Sequence, residues 1–391
     1  MTTRRMMNKL PEDVVIYILF RLPVKSLLRF KCTSKAWYTL ILSDTFVKLH
    51  HNHATATKEE FILFIRTFRE EPDLWKNVAS FIYCDDNNDH NNLFPDLDLS
   101  HLTSSYCSIF GQLIGPCHGL IALSDSIIII ILNPSTRKYV VLPPSPFGCP
   151  KGYHRSIEGI GFGFDSIVND YKVVRLSDVY WDPPTDYPGP REPKVDIYDL
   201  SIDSWRELSE VEFPSIYYLP CSEMYYKEAV HWFSHIDMDV MILCFDIITE
   251  IFRTMKIPGD CTFLEIPRYG LAILNECLTL ISYPDPMCSD EPIEELIYIW
   301  IMKEYGESES WIKKYTIKPL PIESPLAIWK DHLLLLQSIS GIILFSWDLN
   351  SNEVKEFELH GHLECMRAVI YKESLTTIPR VGEHSPQVQQ F

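Results

Sequence analysis

Three histidines within four residues, His50, His51 and His53, form the densest group of potential metal ligands in the chain. They lack acidic or cysteine partners at metal spacing, and a solvated helix end accounts for them better. Gly159, Gly161 and Gly163, in EGIGFGFD, have the look of a phosphate loop. They alternate with Ile160, Phe162 and Phe164, so the segment reads as a strand, and no helix follows it. No serine sits in a nucleophile elbow. The eleven cysteines are scattered without a CxxC pair, which argues against zinc ribbons, RING fingers and thioredoxin-like redox chemistry. No cysteine has an evident activator that would make it a thiolate nucleophile. No catalytic residue and no cofactor is therefore expected. The chemistry left to the chain is recognition.

The elements that would carry recognition fall into two codes. Residues 10–50 are written for helices. Glu12 and Asp13 behind Pro11 suit the positive end of a helix dipole. Val14, Val15, Ile18, Leu19 and Leu22 recur at helical spacing and predict one apolar face. Pro23 ends that helix. A second short helix follows through Leu27, Leu28, Phe30 and Cys32, and a third through Trp37, Leu40, Ile41 and Leu42. Three short helices cannot bury all these groups among themselves. Either they cap the following domain, or part of their surface awaits a partner's helices.

After Lys58 the code changes to short β-branched and aromatic runs separated by polar or Gly/Pro turns, with no comparable amphipathic helix. Inside this body a unit repeats: a strand, an Asp or Asn, an apolar residue six positions later, and another strand. The pairs are Asn133 with Tyr139, Asp199 with Trp205, Asp246 with Phe252 and Asp348 with Val354. A degenerate copy spans Tyr298 to Ile317. The Asx side chain caps a hairpin turn and the apolar residue returns to the core. Asp199 and Asp246 lie about 47 residues apart and Asp348 follows at about twice that, the spacing of propeller blades. Residues 61–375 then hold six or seven blades. The alternative is a β-sandwich array with similar hairpins.

Composition bounds the function classes. The 391 residues have room for one small and one large domain, and 46% hydrophobic with 23% charged residues describe a globular protein. The longest apolar run, Ile127 to Leu132, is too short to span a bilayer. Arg4, Arg5 and Lys9 are not followed by an apolar h-region, so no signal peptide is expected, and an odd cysteine count then suits a reducing cytoplasm. Residues 1–50 hold nine Lys/Arg against three Asp/Glu, so the rest of the chain carries −24 of the total −18. Such a body repels nucleic acid and steers cationic partners, or is acidic for solubility alone. Three loops are candidates for contact with a partner. They contain Asp85, Asp86 and Asp89; Trp181, Asp182, Asp186 and Tyr187; and Asp290, Glu291, Glu294 and Glu295. The second lies in Tyr180–Pro193, five prolines in fourteen residues, which predicts a stiff exposed loop rather than a central strand.

Leu10-Pro11, Ile18-Leu19, Leu22-Pro23, Lys25-Ser26-Leu27-Leu28, Lys31-Cys32, Ser34-Lys35 and Trp37 resemble the F-box of plant F-box proteins nearly position for position. Phe20 and Thr33 are minor departures. The resemblance implies docking on a Skp1-type adaptor and, through it, on cullin-1 and a RING protein of a ubiquitin ligase. Leu10, Pro11, Ile18, Leu19, Leu22, Pro23, Leu27, Leu28 and Trp37 would build or support that interface. GPCHGLIALSD at 115–125, LNPSTRKYVVLPPSP at 132–146, GFGFDSIVNDYKVVRL at 161–176 and VDIYDLSIDSWREL at 195–208 are similar to S-locus F-box proteins of pollen. That implies a receptor for non-self S-ribonucleases, which are basic proteins, acting in the pollen-tube cytoplasm with no membrane or nucleic-acid partner. The architecture implied is an F-box at 8–52, a kelch-like or F-box-associated β-propeller at 59–375 and a polar tail at 376–391. A receptor for an unrelated substrate, a non-degradative scaffold and a propeller oxidase with a His/Tyr copper centre are the alternatives.

Overall fold

The computed structural model describes residues 10–57, 60–71, 74–83, 92–93, 96–103, 111–125, 127–181, 191–208, 216–217, 223–236, 239–259, 267–285, 296–318, 320, 322–339, 343–358, 366–379 and 389–390.

Pro11 and Pro23 are N-cap residues, placed where a missing N–H costs nothing. Helix α1 spans Glu12–Leu19 and α2 spans Val24–Phe30. Helix α3, Lys35–Ile41, begins after Ser34, whose Oγ accepts the Trp37 N–H at 3.2 Å. The sequence predicts three helices; the structure has a fourth, α4, Asp44–Thr57. Its polar second half, HHNHATAT, hides the apolar period. Tertiary contacts hold it instead, through buried Phe46 and His50. Leu19, Val24, Leu27, Ile41 and Phe46 form the helical core, and Leu375 joins them from the far end of the chain.

From Phe61 the chain is antiparallel β-sheet, arranged as six blades. Blade I holds β1 (Phe61–Glu71), β2 (Leu74–Tyr83), β3 (Asn92–Leu93) and β4 (Leu97–Asp98). Blade II holds β5 (Gln112–Cys117), β6 (Leu120–Ser124), β7 (Ile129–Asn133) and β8 (Lys138–Val141). Blade III holds β9 (Tyr153–Asp165), β10 (Asp170–Trp181), β11 (Arg191–Asp199) and β12 (Ser204–Leu208). Blade IV holds β13 (Ile216–Tyr217), β14 (Met224–Tyr226), β15 (Ala229–Ile236), β16 (Asp239–Asp246) and β17 (Phe252–Lys256). Blade V holds β18 (Pro267–Leu274), β19 (Cys277–Pro284), β20 (Ile297–Met302) and β21 (Trp311–Ile317). Blade VI holds β22 (Ile322–Trp329), β23 (Leu333–Ser338), β24 (Ile343–Asp348) and β25 (Val354–Glu358).

Strand β26 (Arg367–Tyr371) pairs with β1 and supplies the inner strand of blade I, closing the ring with the chain's own C-terminal part. The polar tail expected from 376 does not leave the body there: Ile378 is buried in the core between blades II and III, and β27 (Gln389–Gln390) pairs with the outer strand β8. Six apolar cores lie between neighbouring blades around the whole ring. This is why the strands read as nearly continuous apolar runs, being covered on both faces. Gly161 and Gly163 belong to this packing. A Cβ on them would lie 2.9 Å from Trp232 and 2.6 Å from Tyr225, so they let β9 approach blade IV.

The repeated hairpin is the turn between the two outer strands of a blade. Asp246 Oδ1 accepts the N–H groups of Ile248 and Thr249, Asp348 Oδ1 those of Asn350 and Ser351, and Asn133 Oδ1 that of Thr136. Asp199 departs from the pattern: its carboxylate takes Arg206 at 2.6 Å. The predicted loop Tyr180–Pro193 is also shorter than expected, because β10 runs to Trp181 and β11 starts at Arg191. Pro193 is opposite Asp178, but pairing with β12 begins only at Val195, so the missing proline N–H faces an open edge.

Because each blade is antiparallel, its connections alternate between two ends of the propeller. First-to-second and third-to-fourth turns share one end; second-to-third connections and crossovers to the next blade share the other. Every non-glycine residue with positive φ among the described residues lies in a turn of the first end, from His118 and Arg137 to Asp331 and Asn352. Lys227-Glu228, Asn275-Glu276 and Lys330-Asp331 are consecutive left-handed pairs, the type I′ hairpin geometry. The four helices sit at this same end. Their contacts run to His118, Lys372 and Glu373.

Candidate functional site

Helix α1 is apolar on two sides. Val15, Ile16 and Leu19 point into the helical core. Leu10, Val14, Tyr17 and Ile18 point outward, with Leu10 61% and Ile18 47% exposed. The single face predicted from the sequence is therefore split: Val15, Leu19 and Leu22 line the inside, whereas Val14 and Ile18 line the outside. A helix apolar on two sides is not an ordinary surface helix, and among the described residues nothing covers its outer stripe. Arg21 stacks on Tyr17 with its guanidinium 3.4 Å from the ring centroid, and Nη1 donates to the Tyr17 carbonyl at 2.7 Å. That fixes the Tyr17 ring at the edge of the stripe.

The nine residues named for adaptor contact fall into two groups. Leu10, Pro11, Ile18 and Pro23 are exposed. Leu19 and Leu27 are buried, and Leu22, Leu28 and Trp37 pack half-buried on the same core. Trp37 meets Phe30 edge-on at 5.3 Å. Sequence reasoning missed Val14, Tyr17 and Tyr38 as exposed members; helical spacing from Leu10 to Val14 to Ile18 was the available signal.

Each of the three histidines of α4 has a structural contact. His50 Nε2–H donates to the Leu22 carbonyl at 3.1 Å. His53 meets Phe20 edge-on, and His51 meets His118 of the β5–β6 turn at 5.4 Å. Burial, followed by the His118 charge, pushes His51 down to about 4. Among the described residues no group of three or more His, Cys, Asp or Glu could hold a metal ion. A His/Tyr/Cys cluster does exist between blades IV and V. His231 Nε2 lies 2.8 Å from Tyr305 Oη, and Cys244 Sγ lies 3.6 Å from the same oxygen. His231 is fully buried, Met224 O accepts its Nδ1–H at 3.2 Å, and burial drives its pKa to about 4. The contact joins a turn of one blade to the strand of the next.

A buried ion network ties blades III and IV at the helical end. Lys172 Nζ donates to Asp165 Oδ2 at 2.7 Å, to Glu250 Oε1 at 2.8 Å and to the Ile247 carbonyl at 3.0 Å. Arg206 spans Glu250 and Asp199 beside it. Burial disfavours every charge here, but the hydrogen bonds outweigh it. Asp165 and Glu250 are held below the usual carboxylate range, and Lys172 above its own.

The opposite end is built around blade III, whose strands are longer than their neighbours. Trp181 at the end of β10 is 50% exposed and pairs across the sheet with Tyr153, 45% exposed. Arg191 lies 5.0 Å from the centroid of the adjacent Tyr180 ring. Beneath this ribbon, Asp196 is buried between Arg155, at 2.8 Å, and Arg175. Arg155 also donates to the Phe147 carbonyl at 2.7 Å, so the network pins the crossover from blade II to the ribbon.

Of the three acid-rich loops, Trp181 is the candidate that the structure describes. Asp85, Asp86, Asp89, Asp182, Asp186, Tyr187, Asp290, Glu291, Glu294 and Glu295 lie outside the described residues. The flanking strand ends still separate them. Trp181 and Arg191, like Pro284 and Ile297, end at the face away from the helices; Tyr83 and Asn92 end at the helical face. The three candidate loops thus attach to opposite ends of the propeller. A cavity of about 170 Å³ lies on the propeller axis between the inner strands, lined by Leu113, Leu271, Ala327 and Ala368 together with Glu223 and Arg367. No helix among the described residues is long and apolar enough to cross a membrane.

Comparison with known proteins fits this two-part layout. The F-box domain family matches residues 7–49, and the F-box associated beta propeller domain family matches residues 63–362. The chain is similar to F-box protein CPR1 of Arabidopsis thaliana, 26% identical over 375 residues, covering 90% of this chain and 85% of the relative. It is also similar to F-box protein At4g22390 of the same plant, 27% identical over 375 residues, covering 89% and 85%. Among solved structures, TolB from Acinetobacter baumannii superposes with a TM-score of 0.46 at 11% identity, over 84% of this chain and 72% of that one. The chain belongs to the F-box proteins that carry an F-box associated beta propeller domain.

Proposed function

We propose that this chain is the substrate-recognition subunit of an SCF-type cullin–RING ubiquitin ligase. The observation that carries the reading is α1, apolar on both sides, with Leu10, Val14, Tyr17 and Ile18 uncovered. In this reading residues 8–52 dock on a Skp1-type adaptor, which connects them to cullin-1 and a RING protein. Leu10, Pro11, Ile18 and Pro23 touch the adaptor; Leu19, Leu22, Leu27, Leu28 and Trp37 hold those four in place. The chain contributes no bond-making residue. It raises the effective concentration of a substrate lysine beside the charged ubiquitin carrier.

The substrate in this reading is a basic protein, an S-ribonuclease met in the pollen-tube cytoplasm. Two features support it: the acidic excess outside residues 1–50, and the resemblance of 115–125, 132–146, 161–176 and 195–208 to S-locus F-box proteins. The propeller end away from the helices, with Trp181 and Tyr153, is the surface offered to it. The first test is recovery of a Skp1-type adaptor by the intact chain and by a chain lacking residues 1–50. Capture by the intact chain alone supports the reading, and equal recovery sinks it. The second is a binding panel of S-ribonucleases at rising salt. Affinity that falls with ionic strength supports a charge-steered substrate; binding to none of the panel moves the receptor role to another substrate.

A further inference from the structure

The chain continues past β26 as an extended segment threaded between the helices and the propeller, and its side chains alternate between the two. Glu373 and Leu375 face the helices. Glu373 Oε2 accepts the Val24 N–H at 3.0 Å, at the start of α2, where Pro23 offers no side-chain cap. Leu375 is buried in the helical core. Ser374, Thr376 and Ile378 face the propeller. Asn133 Nδ2 donates to the carbonyls of Ser374 and Thr376 at 3.0 and 2.8 Å. Ser374 packs against Gly119 so closely that a Cβ there would lie 2.1 Å from its own. Ile378 is buried between blades II and III. Just before this stretch, Lys372 pairs with Glu60 at 3.2 Å, at the junction between α4 and β1.

A connection of a few residues between α4 and β1 would let the helices swivel. The segment removes that freedom, since its period-two pattern commits alternate residues to each body. We propose that residues 372–378 are a positioning strip that locks the orientation of the F-box helices on the propeller. The proposal rests on the receptor reading for its consequence: a fixed angle between the adaptor end and the substrate end holds the substrate lysine where ubiquitin is delivered. Geometry of this kind governs effective molarity, so its loss slows transfer without touching either binding surface.

The test uses the full chain with Glu373→Ala and Leu375→Ala made separately. Glu373→Ala removes no core volume and so carries the test if Leu375→Ala loosens the helices. Spin labels on non-canonical residues at Lys35 of α3 and Ile312 of β21 report the distance between the two bodies. A narrow distribution in the parent and a broadened one in Glu373→Ala is the expected result. An unchanged narrow distribution in both variants overturns the strip. In a reconstituted ligase with an S-ribonuclease as probe, Glu373→Ala is expected to keep adaptor and substrate capture within about twofold of the parent. Ubiquitin transfer falls about tenfold or more. Transfer at the parental rate despite a broadened distance overturns the functional consequence. If the parent captures no adaptor, the receptor reading fails, while the distance measurement still judges the strip, because it needs no partner.

Discussion

Replacing Leu10 and Ile18 together by alanine separates contact from support on the F-box face. Full burial of such a side chain is worth about 1.5–3 kcal/mol. Leu10 is 61% and Ile18 47% exposed in the free chain, so that share is left for a partner to cover. The pair then contributes about 1.5–3 kcal/mol to docking, roughly a 10- to 150-fold change in Kd. Neither side chain is part of the helical core, so the melting temperature is expected to stay within a degree or two of the parent. Leu27→Ala is the opposite case. Leu27 is fully buried beside Leu19 and Val24, and its truncation costs about 2–5 kcal/mol of stability. Calorimetric titration with a Skp1-type adaptor reads the first effect, and hydrogen exchange of α1–α3 reads the second. The reasoning is refuted if the double variant binds within threefold of the parent. It is equally refuted if Leu27→Ala weakens docking while helix protection stays unchanged.

Lys172→Met leaves Asp165 buried without its cation, while half-buried Glu250 keeps Arg206, and denaturant unfolding should show a loss of about 3–5 kcal/mol. A loss under 1 kcal/mol would mean that solvent reaches the site. His51, held near 4 when folded, gains a proton in the unfolded chain below its ordinary 6.5. Stability therefore falls as pH drops from about 6.5 toward 4, the folded state being the poorer proton binder. Its neighbours His118, Lys372 and His50 all oppose the charge. Titrated unfolding of His51→Phe should show a flatter pH profile, and an unaltered slope assigns the effect elsewhere. Trp181→Ala with Tyr153→Ala is expected to cut capture of an S-ribonuclease at least tenfold and leave adaptor capture intact; loss of both would point to misfolding. Glu276→Gly relieves a left-handed φ of 58° while keeping the carbonyl that accepts the Tyr226 hydroxyl. Relief of about 1–2 kcal/mol set against a glycine entropy cost of about 0.5–1 predicts a slightly higher melting temperature, and a drop of several degrees would contradict it.

The hairpins between outer strands were legible because Asp246, Asp348 and Asn133 announce themselves by side-chain type at a fixed offset. Turns between the inner strands were harder. Lys227-Glu228 and Lys330-Asp331 form type I′ geometry without a glycine or asparagine, so the usual dipeptide signal is missing. Several inner strands were hidden too. Met224–Tyr226 is short, and β22 carries Glu323, Ser324 and Pro325 with register shifts, which break the alternation that marks a strand. Without those strands the period left six or seven blades open, and ring closure by β26 could not be read from any local pattern. At the candidate site, residue types indicated apolar contact, but the core that receives the inner face of α1 is assembled from α2, α3, α4 and Leu375, more than 300 positions away.

The two propeller ends are different constructions, and the difference bears on what each can do. At the helical end, tight hairpins hold twelve non-glycine residues at positive φ among the described residues, conformations that cost energy and persist only where the surroundings enforce them. Those turns fix the strand register from one end. The ion network of Lys172, Asp165 and Glu250 ties neighbouring blades at that same end. At the other end the bracing is local to blade III, where Arg155 ties Asp196 to the crossover at Phe147. The proline-rich 182–190 and the acidic 286–295 attach at this other end, and the acidic 84–91 at the helical one. A helical end braced by hairpins and ion pairs, set opposite an end that presents Trp181 and Tyr153, gives the one scaffold two different contact surfaces.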